Sequence, residues 1–354
     1  SKRLLPADDD TEETSFMEFL CDDGRNSLER RLYAEWMWYL TGKRKPYEYR
    51  QRYEEMLDEV DETLSLRSGG PYFFGKELTM ADIKFIPFVE RQESTLLYFK
   101  GFQLRNEGRW PHLVKWLRAM ENRASYLPTK SDVYTHSRTL PPQLSGGCSF
   151  GPDAEEYEPV KDAIDALALP THDQQQKYLS QEQRDWVDPG YRADKEGARV
   201  ISSSRREAAE RILQNRNNIV RFASRGAGTP GFPAASAELS DPKATSNDDI
   251  TVAVDLFLRY AVSSLLRKGS GAGNESFGEG PHMAAKILID GGDDETSGRD
   301  TILALVDCLD YLRARVGVPR DMSTLAAREL RKELNLLSQI LMSGVNQQQQ
   351  QLTT

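Results

Sequence analysis

The residues whose spacing could bind a phosphate lie between positions 70 and 76. The stretch GPYFFGK has the G-x-x-x-x-G-K spacing of a phosphate-binding loop. Such a loop needs small residues, because its backbone N–H groups wrap the phosphates closely, and a Ser or Thr after the lysine to hold magnesium. Here aromatic residues crowd the loop, Pro71 removes one donor and the acidic Glu77 follows Lys76. The sequence therefore favours a turn that binds no nucleotide.

A pattern typical of a helix start follows this loop. Thr79 and Asp82 have the spacing of a capping box, in which each side chain accepts a hydrogen bond from the backbone N–H of the other residue. Leu78 and Ile83 flank this pair and can close a hydrophobic staple. The apolar residues that follow, up to residue 90, predict a buried helix, so these four residues have a structural role in this interpretation.

Two helical patterns precede the loop, and no β-strand pattern does. In SLERRLYAEWMWYLTG, residues 27–42, Ser27 can cap the helix and Gly42 ends it. Residues 47–67 carry apolar side chains at helical spacing with charges between them. The acidic stretch ADDDTEET, residues 7–14, predicts a solvated loop.

These motifs resemble a known family. PYFFGKELTMADIKFIPFVERQ, residues 71–92, is similar to the C-terminal, all-helical domain of glutathione S-transferases, which carries the same capping box and staple. WPHLVKWL, residues 110–117, resembles the late helix of that domain, and the resemblance covers roughly residues 15–130. It implies a domain over residues 27–138, with residues 1–26 as an N-terminal tail.

The resemblance implies little about activity in this chain. In the family, glutathione is held mainly by an N-terminal thioredoxin-like domain, and residues 1–26 have no room for one. SKRLLP, residues 1–6, resembles the exit from such a domain, so we expect the catalytic half to be upstream in the parent protein or lost. Glutathione is expected as a cofactor only if that domain exists, and no catalytic residue is assigned.

The helical domain could still provide a hydrophobic co-substrate wall. The resemblance places this wall on the first helices, where ordinary core or an interdomain surface is the favoured alternative. Its candidate residues are Tyr33, Trp36, Met37 and Tyr53.

The second half of the chain predicts a linker and another helical module. Residues 139–198 are rich in Pro, Gln and acids, and prolines there are expected to break any long element. Residues 199–345 contain four amphipathic segments and a shorter one, which predict a bundle of four to five helices. Ser204 and Glu207 predict a second capping box, and the Gln-rich tail, residues 346–354, is expected to fray. The predicted fold class is all-α throughout.

The composition of the chain argues against several classes of partner and binding site. The net charge is −9 without a long basic run, so nucleic acid is not an expected partner. Three cysteines lie far apart without a CxxC pair, which gives no sign of a metal site or a disulfide framework. No apolar run reaches the length of a membrane span. We therefore expect a soluble intracellular protein, and the second module resembles an extension found on plant and algal glutathione-S-transferase-like proteins, many of them in the chloroplast.

Two functions remain open at this point. The first is a glutathione-S-transferase-like protein, with transferase activity only if an upstream thioredoxin-like domain exists. The second is a non-catalytic scaffold or interaction subunit of a larger assembly, which fits the expectation of protein partners. The sequence leaves open whether the chain is an enzyme, which substrate or partner it binds, whether it dimerises and what the second module does.

Overall fold

A computed structural model describes residues 4–5, 11–22, 24, 26–67, 69–144, 147–152, 154–165, 195–231, 243–269, 279–291 and 295–352. These residues form thirteen α-helices and one 3-10 helix, Ser224–Ala227, and no β-strand, which confirms the all-α fold class. The α-helices are α1 Thr11–Cys21, α2 Leu28–Thr41, α3 Pro46–Ser65, α4 Met80–Lys100, α5 Pro111–Glu121, α6 Val133–Gln143, α7 Ala154–Asp165, α8 Lys195–Gln214, α9 Arg216–Ala223, α10 Thr251–Gly269, α11 Gly280–Asp290, α12 Glu295–Arg315 and α13 Thr324–Leu352.

The chain divides into two compact units. The first comprises Ser1–Leu140 and Gly147–Lys161, and the second comprises Pro141–Gly146 and Asp162–Thr354. In the first unit α2 packs against α3 and α4, while α1 packs against α2 and α4 and α5 packs against α3. Its core contains large side chains with almost no exposed surface, including Trp36, Tyr53, Phe73, Phe85, Trp110 and Trp116.

Helix α5 begins where acidic side chains of α3 meet it. Asp61 accepts a hydrogen bond from the backbone N–H of Leu113 at 2.8 Å and lies 2.9 Å from Nδ1 of His112. Asp58 accepts from the indole N–H of Trp110 at 2.7 Å. These carboxylates bind donors at the positive end of α5, so α3 caps a helix about fifty residues further along the chain.

Helix α4 runs through the middle of the first unit, and every residue from 92 to 100 is buried. Its polar side chains find partners on neighbouring helices: Thr95 accepts from the indole of Trp36 at 3.3 Å and Gln92 from the hydroxyl of Tyr53 at 2.8 Å. The helix ends at Gly101, which adopts the left-handed conformation with φ of +62°. A Cβ atom there would lie 2.4 Å from the ring of Tyr157, so this position requires glycine for two reasons.

The second unit has one continuous apolar core. Helix α13 contributes Leu330, Leu334, Leu337 and Leu341, all buried, as their spacing of four, three and four predicts. Helix α13 packs against α8, α10, α11 and α12, and α8 packs against α10. The described part of the second unit is therefore a helical bundle, with six α-helices from α8 to α13 where the sequence predicts four to five, because residues 195–223 divide into α8 and α9.

Several local expectations are wrong. Residues 11–14 belong to α1 instead of a solvated loop. Ser204 caps nothing: it lies inside α8, and its hydroxyl donates to the carbonyl of Val200 at 2.8 Å. Glu207 instead accepts from the backbone N–H and the hydroxyl of Ser323, at 2.9 Å and 2.6 Å, at the start of α13. A local pattern could not predict these bonds, because the two residues are 116 positions apart.

The predicted linker, residues 139–198, is partly helical where the structure describes it. Pro141 and Pro142 occupy the last turn of α6, and Pro159 lies inside α7. These three prolines therefore do not prevent α6 and α7 from forming. Residues 145–146, 153 and 166–194 lie outside the described residues. Helix α13 continues through Leu352, whereas the Gln-rich tail is expected to fray. No described helix combines the length and the apolar character that crossing a bilayer requires.

Candidate functional site

The loop between α3 and α4 folds as a tight turn. Tyr72 and Gly75 exchange backbone hydrogen bonds, with N···O distances of 3.0 Å and 2.9 Å, and Gly75 has a φ of +79°. Helix α3 precedes the loop, and the side chain of Phe73 is completely buried. Because the loop uses these N–H groups internally and has an aromatic ring at its centre, it forms no phosphate cradle.

Asp82 organises this turn. Its Oδ2 accepts from the backbone N–H of Thr79 at 2.8 Å and from the Thr79 hydroxyl at 3.1 Å, within a capping box at the start of α4. Its Oδ1 accepts from the backbone N–H of Phe73 at 3.2 Å and from the indole N–H of Trp116 on α5 at 2.9 Å. One carboxylate therefore joins the turn, α4 and α5.

The Asp82 carboxyl has no exposed surface, and burial raises its pKa above the ordinary value. Hydrogen bonds from Thr79, Trp116 and Phe73 act in the opposite direction, since they stabilise the ionised form. All four donors are uncharged, and the first turn of α4 adds its positive dipole. Of the staple residues, Leu78 is half-buried and Ile83 is 38% exposed.

The four residues proposed for the co-substrate wall separate into two groups. Trp36 and Tyr53 are fully buried, and their polar atoms bond to Thr95 and Gln92 on α4. They belong to the core and present no surface to a ligand. Tyr33 and Met37 are half-buried, one turn apart on α2.

Tyr33 lies beside an aromatic residue that the sequence does not single out. Its ring is 5.6 Å from that of Phe88 on α4 and 5.5 Å from that of Trp36, both in edge-to-face geometry. Phe88 is half-buried like Tyr33 and Met37. We call these three side chains, Tyr33, Met37 and Phe88, the α2–α4 strip; the buried ring of Trp36 packs against Tyr33.

A buried lysine lies at the end of α4, and no sequence pattern indicates it. The ammonium group of Lys100 donates to the hydroxyl of Ser149 at 2.9 Å and lies 5.8 Å from the centre of the Tyr39 ring. Ser149 in turn donates through its N–H and its hydroxyl to the carbonyl of Leu40, at the C-terminal end of α2. Burial lowers the pKa of Lys100 to about 8, so part of this amine is neutral near that pH.

A second polar cluster joins α4 to α6. Glu90 accepts from the hydroxyl of Tyr126 at 2.5 Å and from the N–H of Ser131 at 2.7 Å, and its Oε1 lies 2.8 Å from Nε2 of His136. Burial and the neighbouring Glu90 carboxylate raise the pKa of Tyr126. The partners come from different elements, which is why sequence spacing could not predict the cluster. Its donors Tyr126 and Ser131 fix the loop from residue 123 to residue 132 against α4.

Of the three cysteines, Cys21 and Cys308 are buried and Cys148 is half-buried. Cys21 is buried, and its thiol lies 3.5 Å from the carbonyl of Met17. Burial raises the pKa of Cys148 and of Cys308 to about 11, although Lys100 lowers that of Cys148 in part. Among the described residues, no group of three His, Cys, Asp or Glu side chains could hold a metal ion.

One segment of the chain is similar to proteins of a known family. Residues 28–119 match the family model described as glutathione S-transferase, C-terminal domain. Glutathione S-transferase L1 of Arabidopsis thaliana is 36% identical over 76 residues, which cover 22% of this chain and 31% of that protein. Protein IN2-1 homolog B of Oryza sativa, from both the indica and the japonica subspecies, is 32% identical over 76 residues, with 22% and 30% covered. The chain thus spans less than a third of the length of these curated relatives.

Among solved structures, the chain is similar to Leishmania TDR1, described as a unique trimeric glutathione transferase. The sequence identity is 16% and the TM-score 0.32, with 96% of this chain and 80% of that chain covered. A likeness at this TM-score supports no statement about the fold or the function.

The segment that the family model matches begins at the first residue of α2 and ends within α5. It contains the capping box at Thr79 and Asp82 and the central helix α4, which are the features on which the resemblance rests. Residues 28–119 are therefore a helical segment of the first unit that is similar to the glutathione S-transferase C-terminal domain.

Proposed function

We propose that the first unit is the helical half of a glutathione-dependent protein, with transferase activity only in a parent chain that also carries a thioredoxin-like domain. The match of residues 28–119 to the glutathione S-transferase C-terminal domain carries this proposal. The likeness to the Arabidopsis protein named glutathione S-transferase L1 supports it. Glutathione would be held by the thioredoxin-like domain, and no residue of this chain takes a catalytic role.

In this proposal the first unit supplies part of the co-substrate wall. Tyr33 and Met37 are the two candidate residues with exposed surface, and Phe88 extends them on α4. Trp36 and Tyr53 would hold the strip in place from the core instead of touching a substrate. An apolar electrophile is the substrate class that fits, since the strip offers aromatic and thioether surface and no charge.

The test uses the full parent chain. We expect it to be retained on immobilised glutathione and to turn over 1-chloro-2,4-dinitrobenzene. Tyr33→Ala and Met37→Ala should each raise KM for the aryl halide several-fold without changing retention on glutathione, because they affect only the apolar wall. Tyr47→Ala is the matched control, since Tyr47 is 63% exposed on α3 and lies outside the strip.

A second function, the non-catalytic interaction subunit, draws support from an exposed aromatic surface. Trp38 on α2 is 53% exposed and stacks on Tyr49 of α3 with ring centres 6.0 Å apart. Exposed aromatic residues are typical of protein–protein interfaces. If the parent chain ignores glutathione and co-purifies stoichiometrically with a partner that Trp38→Ala releases, the interaction function replaces the transferase function.

The plastid setting that the resemblance implies stays a prediction. Import of the radiolabelled parent chain by isolated chloroplasts tests it. Protease-resistant protein inside the organelle is the expected result, and protein that remains outside would contradict it.

A further inference from the structure

Two of the histidines that the structure describes pair with a carboxylate, and they do so through opposite ring nitrogens. Nε2 of His136 lies 2.8 Å from Oε1 of Glu90, and the His136 side chain is only 12% exposed. Nδ1 of His112 lies 2.9 Å from Oδ2 of Asp61, and the His112 side chain is 46% exposed. Nε2 of His112 makes no hydrogen bond or ion pair with any residue that the structure describes. His112 therefore presents this second nitrogen to solvent.

Asp61 fixes which nitrogen of His112 carries the proton. The Asp61 side chain is buried on α3, and its Oδ1 accepts from the backbone N–H of Leu113 at 2.8 Å. This bond holds one carboxylate oxygen, so the other faces the imidazole of His112. Since a carboxylate accepts hydrogen bonds and does not donate them, Nδ1 carries the ring proton, and Nε2 keeps its lone pair in the neutral ring. The Asp61–His112 dyad thus holds a nucleophilic nitrogen at the surface.

The surroundings of the dyad suit an anionic electrophile. Lys115 follows His112 by three residues on α5, a spacing that places Cβ atoms about 5–6 Å apart on one helix face. Lys115 is exposed and has no hydrogen bond or ion pair within the described part of the chain. Asp58, one turn before Asp61 on α3, is already paired with Arg109 at 3.0 Å and 3.1 Å. A free cation therefore lies beside the reactive nitrogen, whereas the neighbouring acid is neutralised.

A nucleophilic role fits Nε2 of His112 better than metal ligation. No three His, Cys, Asp or Glu side chains of the described residues are grouped so that they could hold a metal ion. A single oriented imidazole is sufficient for covalent modification, because the reaction needs one lone pair and an electrophile.

We propose that His112 is a phosphorylation site, modified on Nε2 by a small activated phosphoryl donor such as an acyl phosphate or a phosphoramidate. The Nε2 lone pair forms the new P–N bond, and the bond from phosphorus to the leaving group breaks, with its electron pair departing on the leaving group. Nδ1 keeps its proton, and the positive charge that the ring acquires faces the Asp61 carboxylate. Lys115 pairs with the phosphoryl oxygens. The site requires neither glutathione nor the α2–α4 strip, so the proposal stands apart from the function proposed above.

Incubation of the full chain with phosphoramidate tests the proposal. Mass spectrometry identifies the modified residue, and phosphorus NMR identifies the ring nitrogen. We expect modification of His112 on Nε2, with an initial rate several-fold above that of His282. His282 is the internal control, since it is exposed on α11 and has no partner among the described residues. His136 should stay unmodified, because its Nε2 is bonded to Glu90.

Asp61→Asn tests the part that the carboxylate plays. The backbone N–H of Leu113 can only donate, so the amide oxygen stays with it, and the amide NH2 group faces Nδ1 and moves the ring proton to Nε2. The rate at His112 should fall about tenfold, as the loss of one charge-assisted hydrogen bond predicts. Circular dichroism checks that the variant is folded.

Lys115→Gln should lower the rate at His112 about threefold, as the loss of one exposed ion pair predicts. Lys76→Gln is the matched control, since Lys76 is exposed in the turn before α4, and it should leave the rate unchanged. A wild-type rate at His112 no higher than that at His282 would overturn the proposal. Modification of His112 on Nδ1, or an unchanged rate in Asp61→Asn, would overturn it as well.

Discussion

The two units each contain a deeply buried carboxylate, and they hold it by opposite means. Asp82 in the first unit accepts only from uncharged donors, Thr79, Phe73 and Trp116. Glu329 in the second unit lies among cations: Nε of Arg205 is 2.6 Å from it, Nζ of Lys332 3.2 Å and a guanidinium nitrogen of Arg328 3.4 Å. Both side chains are less than about 5% exposed.

The difference appears in the pKa values. Burial raises the pKa of Asp82, and the neutral hydrogen bonds offset it only in part. Burial acts on Glu329 in the same direction, but Lys332, Arg205 and Arg328 lower its pKa to about 2. Burial also disfavours the charged forms of the cations themselves, since it lowers the pKa of Lys332 and of Arg328. Neutral donors thus fix a turn without excess charge, whereas the second unit keeps its carboxylate ionised with a local surplus of cations.

The largest expected effect is the loss of Asp82. Asp82→Ala leaves the N–H groups of Phe73, Thr79 and Trp116 buried without an acceptor, so the free energy of unfolding of the first unit should fall by about 4 kcal/mol. Urea unfolding followed by tryptophan fluorescence measures it. Lys76→Ala is the control from the same loop, where the side chain is exposed and a loss below about 0.5 kcal/mol is expected. Equal losses of free energy of unfolding in the two variants would show that the hydrogen bonds of Asp82 do not stabilise the turn.

Removal of the charge from Glu329 should destabilise the second unit by about 3 kcal/mol, since Glu329→Gln leaves three cations around a neutral amide. The contribution of Glu329 should be complete above the ordinary glutamate pKa of 4.5 and disappear as pH falls toward about 2. Urea unfolding of wild type and variant at pH 6, 4 and 2.5 measures the difference. Glu210→Gln, at an exposed ion pair with Arg206, is the control.

The stability that Asp82 contributes should depend on pH in the opposite direction to that of Glu329. Because its folded pKa is raised above 3.8, the stability it contributes is complete below that pH and falls as pH rises through the folded value. The free energy of unfolding that Asp82→Asn loses relative to wild type should therefore decrease between pH 2.5 and pH 6, whereas the loss for Glu329→Gln should increase. Changes in the same direction would contradict the proposed difference between the units.

Lys100 extends the comparison to a cation held by a neutral partner in the first unit. Its folded pKa of about 8 is below the ordinary 10.5, so the folded state should gain stability as pH rises through that window. Lys100→Met keeps the volume and removes the buried charge, and we expect about 1–2 kcal/mol of stabilisation at pH 7. Lys115→Met, at an exposed site on α5, should change little. Destabilisation by Lys100→Met would show that the bond to Ser149 outweighs the desolvation of the ammonium.

The smallest effect is expected at Glu207, an acid of the second unit that accepts from neutral donors. Glu207→Gln should lower stability by about 1 kcal/mol, because the bonds to the N–H and hydroxyl of Ser323 at the start of α13 weaken. Hydrogen exchange of residues 323–327 measures the loss locally. A loss as large as that for Glu329→Gln would mean that neutral and cationic partners contribute equally in this unit.

The sequence predicts hydrogen bonds between residues that are close in the chain, but it does not predict those between residues that are far apart in the chain. Thr79 and Asp82 are three residues apart, so a spacing rule identifies their pairing. The bond from Trp116 to the same carboxylate crosses 34 residues, and that from Arg205 to Glu329 crosses 124. Ser204 and Glu207 show the other failure, since the right spacing occurs inside a helix that begins earlier. In the proposed wall, residue type alone could not separate buried Trp36 and Tyr53 from accessible Tyr33 and Met37.

The central claim is that Asp82 closes the first turn of α4 with neutral donors and that residues 70–76 serve that turn. Hydrogen exchange of the Phe73 and Thr79 amides and the Trp116 indole, measured by NMR in wild type and Asp82→Asn, tests it most directly. We expect all three protons to exchange slowly and together in wild type, and faster together in the variant. Fast exchange of any of the three in wild type, or protection that appears only when a nucleotide is added, would contradict the account.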